Sequence, residues 1–94
     1  MRKSIIQSKK ECFFCGNTLD LEKHHCIHGW ANHKIADKDG LWVYLCPRHH
    51  TMSNEAVHEN EEQNKILKRL AQEKWEETYG TRKQFIERYG KSWL

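Results

Sequence analysis

The spacing of apolar positions changes along the chain, and each spacing predicts a different element. Ile66, Leu67, Leu70, Ala71 and Trp75 recur three and four residues apart, which gathers side chains on one face of an α-helix. This stripe predicts one long helix from about Asn54 to Thr78, stopped by Gly80. The sequence TRKQ at 81 to 84 then matches a capping box, with Thr81 as N-cap and Gln84 at the third helical position, and predicts a short second helix carrying Phe85, Ile86 and Tyr89. Trp75, Tyr79, Phe85, Tyr89 and Trp93 are expected to pack as an aromatic core between the two helices.

Upstream the pattern is extended rather than helical. The run LWVYLC at 41 to 46 is rich in β-branched and aromatic residues, and LDLEKHHCI at 19 to 27 predicts an earlier strand. Paired as a hairpin, the two are joined by a long polar connection that holds Gly29, Asp37, Asp39 and Gly40. Residues 11 to 18, ECFFCGNT, have the form of a knuckle in which Gly16 and Asn17 supply the turn. The expected fold class is therefore α+β, as one domain: a basic arm at 1–10, a knuckle and hairpin module at 11–60, and a helical extension at 61–94 packed on it.

Composition adds a requirement. With 94 residues, 37% of them hydrophobic, and a mean hydropathy of -0.96, the chain buries little apolar surface and needs a staple. No run approaches the ~20 apolar residues of a membrane helix, and MRKSIIQSKK lacks the apolar segment of a secretory signal, so a cytoplasmic, reducing location is expected. There the four cysteines favour metal over disulfides. The net charge of +3 is modest, but Arg2, Lys3, Lys9 and Lys10 crowd the first ten residues without an acid, either as a solvated tail or as a phosphate contact. Glu55, Glu59, Glu61 and Glu62 read as the acidic first turn of the long helix.

All seven histidines lie between positions 24 and 58. Cys12-x-x-Cys15 and Cys46-x-x-His49 form two chelating pairs, and a structural zinc ion takes four such sulfur and nitrogen ligands. A hairpin brings the pairs together across their long separation. That closed site has no open position for water or substrate, and it leaves six histidines over, so a second centre is expected around His24, His25, His50 and His58. His28 and His33 read as loop residues, and Cys26 as a small buried hydrophobe. Trp30, Trp42 and Tyr44 are expected to pack the hairpin on the helix. Lys23, Lys34 and Arg48 flank the second centre, where each is either a phosphate contact or simply solvated.

With CFFC at 12 to 15, EKHHC at 22 to 26, LCPRHH at 45 to 50 and VHEN at 57 to 60, the chain resembles the HNH endonucleases, the ββα-metal nucleases, and looks most like small phage and prophage members. The resemblance covers roughly residues 12 to 60 and implies a zinc-stapled ββα-metal domain in a bacterial cell. It also implies roles: His25 as general base, His24 and His50 as ligands of a catalytic divalent metal, and His58 as a further ligand or phosphate contact. The implied substrate is DNA, the implied metal Mg²⁺, Mn²⁺, Ni²⁺ or Zn²⁺, and no membrane or small-molecule cofactor is implied. The family's asparagine ahead of the second zinc pair is replaced here by Gly40 and Leu41, which leaves Asn32, Asp37 and Asp39 to orient the base. The rival reading is a non-catalytic, zinc-stapled module for DNA or protein contacts. The long helix face can pack within the chain or against a second copy, as in a homo-oligomer.

Overall fold

The computed structural model describes residues 3–27, 31–50 and 60–94. Its elements run β1 (Glu22–His25), α1 (Asn32–Asp39), β2 (Trp42–Leu45), α2 (Pro47–His50), α3 (Glu61–Thr78) and α4 (Arg82–Tyr89). The two strands pair antiparallel, with Glu22 opposite Leu45, Lys23 opposite Tyr44, His24 opposite Val43 and His25 opposite Trp42. The architecture is thus the expected small α+β one, a two-stranded hairpin followed by a long helix and a short terminal one.

The polar connection between the strands differs from expectation, because half of it is helical. The sequence NHKIADKD of α1 has only Ile35 and Ala36 as apolar residues, so it carries no amphipathic signal. Its end is fixed by Gly40, whose left-handed φ of 76° lets its backbone N–H reach back to the carbonyls of Ala36 and Asp37. A side chain there would run into the Lys3 carbonyl, because the N-terminal segment passes over this turn.

The long helix also starts later than the apolar stripe suggests. Asn60 takes extended angles and its side chain accepts from the backbone N–H of Glu62 and Gln63, so α3 begins at Glu61. Positions 54 to 59 of the predicted helix lie outside the described residues, as do Glu55 and Glu59. The second helix is as expected, with both halves of the Thr81 and Gln84 capping box formed. Trp75, Phe85, Tyr89 and Trp93 pack ring against ring, with centroids 4.7 to 6.0 Å apart, and Leu67 and Ala71 complete the buried stripe beneath them. Ile66, at the edge of the stripe, stays exposed. No helix among the described residues is long and apolar enough to cross a membrane.

Asp39, the last residue of α1, ties the hairpin to the helices. Its carboxylate accepts from Trp75 Nε1 at 2.9 Å and Tyr89 OH at 2.7 Å, and forms a two-pronged pair with Arg88 at 2.6 and 2.7 Å. Burial raises its pKa, but the bonds from Arg88, Tyr89 and Trp75 outweigh that and hold it below the ordinary value. Because the folded pKa is depressed, this stabilisation is complete above the unfolded carboxyl value of about 4 and fades as pH falls below it. Asp39→Ala is expected to cost about 2–4 kcal/mol at neutral pH, leaving the Trp75 and Tyr89 donors without their acceptor. Asp39→Asn should flatten the acid limb of a melting-temperature profile below pH 4, and an unaltered limb would contradict the assignment.

Candidate functional site

The knuckle is built by backbone bonds that any sequence of this pattern can make. Gly16, at a φ of 77°, donates to the Cys12 carbonyl and Cys12 donates to that of Asn17, which turns Cys15 back toward Cys12. Phe13 N–H then bonds the Tyr44 carbonyl, so the knuckle sits beside β2. After β2 the chain turns immediately into α2, whose His49 and His50 N–H groups both bond the Cys46 carbonyl. His49 thereby faces the same point as Cys46.

Cys12, Cys15, Cys46 and His49 each offer one donor atom, and all four atoms lie within 4.8 Å of one another. Cys15 Sγ is 3.7 Å from Cys46 Sγ, and His49 Nδ1 is 3.4 Å from Cys46 Sγ and 3.7 Å from Cys12 Sγ. A tetrahedron with Zn–S near 2.3 Å and Zn–N near 2.0 Å has edges of about 3.5–3.8 Å, so the quartet fits a zinc ion. Burial raises the Cys12 thiol, but backbone N–H groups of Cys46, Cys15 and Phe14 outweigh it and hold its pKa below the ordinary value, favouring the thiolate a metal needs. Phe14 packs a ring against the His49 imidazole, and only Cys15 of the four is exposed. Among the described residues, this is the one group of three or more donors close enough to share an ion. Cys26 stands apart, fully buried, its pKa pushed far up by burial.

The remaining histidines divide along the strand. Successive residues of β1 point to opposite sides of the hairpin, and the side-chain contacts follow that alternation. On one side, His24 is buried with its ring centroid 5.4 Å from that of His50, and His50 Nδ1 lies 3.3 Å from Glu22 Oε1. On the other, His25 Nε2 is 2.9 Å from Asp37 Oδ1, Lys23 Nζ is 2.6 Å from the same oxygen, and the ring of His33 packs against that of His25 at 3.9 Å. His58 and His28 lie outside the described residues.

Of Asn32, Asp37 and Asp39, Asp37 is the one touching His25. Asp39 is engaged by α3 and α4, and Asn32 Nδ2 donates to the Tyr89 carbonyl. Hydrogen bonds from Lys23 and His25 pull the Asp37 carboxyl down to about 2. Burial lowers the pKa of His25, and Asp37 only partly offsets it, so the net direction is toward the neutral imidazole. An ionised Asp37 fixes the neutral tautomer, with Nε2–H donated to the carboxylate and the Nδ1 lone pair left to accept a proton. Lys34 and Arg48 are exposed on α1 and α2, whereas Lys23 is half-buried, spanning Asp37 and the face of Trp42 at 4.3 Å.

Sequence spacing could not choose Asp37 from Asn32 and Asp39, since it reaches His25 only because α1 folds over the strand. Comparison with family models, curated proteins and solved structures returned no match.

Proposed function

We propose that the chain is a metal-dependent DNA endonuclease resembling the HNH type, which hydrolyses phosphodiester bonds with weak sequence preference. The observation that carries this reading is the His25–Asp37 hydrogen bond, set next to a His24 that faces His50, in a hairpin whose ends converge on a Cys₃His quartet. A histidine oriented by a carboxylate at one ring nitrogen is the arrangement a general base requires, and imidazole titrates in the range where it can take a proton from water. In this reading His25 Nδ1 accepts the proton of the attacking water, Asp37 keeps the ring in the productive tautomer, and Lys23 keeps Asp37 ionised.

His24 and His50 would hold the second ion, and two imidazoles suit Zn²⁺ or Ni²⁺ better than the oxygen-preferring Mg²⁺. When bound there, a divalent ion supplies positive charge against the phosphate and the departing 3'-oxygen. His24 and His25 are consecutive at the end of a four-residue strand, so in this reading the ion and the base would act from opposite sides of that end.

A second reading, a non-catalytic zinc-stapled binding module, is favoured by the alternation of β1, which sends His24 and His25 to opposite sides. Metal content per chain separates the two. The nuclease is expected to hold one ion that resists mild chelation and a second that does not, with His24→Ala losing only the second. A single ion per chain, unaffected by His24→Ala, would favour the binding module.

A further inference from the structure

The N-terminal segment is docked on the hairpin by polar groups in place of a third strand. Ile5 N–H bonds the Gly40 carbonyl, Ser4 Oγ donates to that of Trp42, and Gln7 Oε1 accepts from the backbone N–H of Tyr44. Between this segment and the hairpin lies a groove of about 520 Å³, lined among others by Lys3, Gln7, Lys9, Lys10, Trp42 and Tyr44. Lys3, Lys9 and Lys10 are exposed, no acidic residue among the described residues lines the groove, and Lys10 Nζ lies 5.7 Å from the centre of the Tyr44 ring.

The groove belongs to the same side of the hairpin as His25. Trp42 is the cross-strand partner of His25 and Tyr44 that of Lys23, so these four side chains share one face, and Lys23 bridges from the Trp42 ring to Asp37. A polyanion held by the three lysines would lie on the face of the hairpin that carries the His25–Asp37 pair.

We infer that this groove binds one nucleic-acid strand, its phosphates on Lys3, Lys9 and Lys10 and a base against the half-buried Tyr44 ring. The combination of a cationic track with an aromatic platform suits unpaired nucleotides, whose bases are free to stack, whereas a duplex keeps its bases inside. The volume matches a cleft for a small ligand, on the order of a nucleotide. This deepens the nuclease proposal by naming the form of substrate, and it rests on that proposal only for what happens to the strand after binding.

The test is anisotropy with labelled oligo(dT), oligo(U) and a duplex of equal length across a salt series, with strand integrity checked on a denaturing gel. Single strands are expected to bind more tightly than the duplex. The oligo(dT) and oligo(U) arms show whether DNA or RNA is preferred. The triple variant Lys3→Gln, Lys9→Gln, Lys10→Gln, which alters only exposed side chains, should lower affinity roughly 10-fold or more and reduce the log–log salt slope by about 2. Tyr44→Leu should weaken single-strand binding by roughly 5- to 100-fold with the slope unchanged, since a stacked base contributes by contact rather than charge. Tighter duplex binding, or a triple variant with the parent's affinity and slope, overturns the inference. Binding with these responses but no cleavage leaves the groove and removes the nuclease, whereas cleavage that the triple variant performs as well as the parent does the reverse.

Discussion

Cys46→Ser and Cys12→Ser are each expected to release zinc and leave the chain unfolded or aggregated. Zinc held by such quartets contributes on the order of 10 kcal/mol of apparent binding free energy, while a domain of this size nets only about 5–15 kcal/mol of stability. The quartet also links two segments: Cys12 and Cys15 lie in the knuckle, and Cys46 and His49 lie where β2 passes into α2. Circular dichroism and zinc content check this together. Either variant keeping the parent's melting temperature and metal would remove the structural zinc from the account.

His25→Ala is expected to lower single-turnover DNA cleavage by about 10²-fold or more, the scale of a lost general base, with zinc content and folding nearly intact. The ring lies at a strand end and packs against His33, outside the main apolar core, but its side chain is only 11% exposed, so the variant's melting curve is recorded beside its cleavage. Asp37→Asn should produce a smaller loss, because the amide still occupies the site but no longer fixes the tautomer through a charged acceptor. His24→Ala should lose activity differently: excess divalent metal restores part of it, whereas excess metal does nothing for His25→Ala. Equal cleavage by His25→Ala and the parent would dismiss the base.

Where a fold feature was legible in the sequence, a local signal carried it. The Thr81 and Gln84 box set the start of α4 within four residues of chain, and the stripe of Leu67, Ala71 and Trp75 marked the buried face of α3. The zinc quartet was legible for a related reason, since each half of it is a turn that places two donors within a few residues. The helix α1 was not, because its eight residues are held by long-range contacts: Asp39 to Trp75, Arg88 and Tyr89, and Asn32 to Tyr89. Which of Asn32, Asp37 and Asp39 meets His25 was hidden with it, because Asp37 comes within reach only once the connection coils. The placement of the N-terminal segment was open for the same cause, since Ser4 and Gln7 help to fix it through backbone partners 38 and 37 residues away.

The start of α3 shows how neighbouring signals compete. The glutamates from Glu55 onward suggested an early first turn, but Asn60 caps the helix and leaves only Glu61 and Glu62 in that turn.

The measurement that bears most directly on the proposed chemistry is cleavage of supercoiled plasmid and of a single-stranded circle by the zinc-loaded chain, with Mg²⁺, Mn²⁺, Ni²⁺ or Zn²⁺ added in turn. The expected result is nicked or linear product that requires an added ion and falls by about 10²-fold or more in His25→Ala. Intact DNA under every metal, from protein shown to be folded and fully loaded with its structural zinc, would contradict the nuclease and leave the binding module in its place.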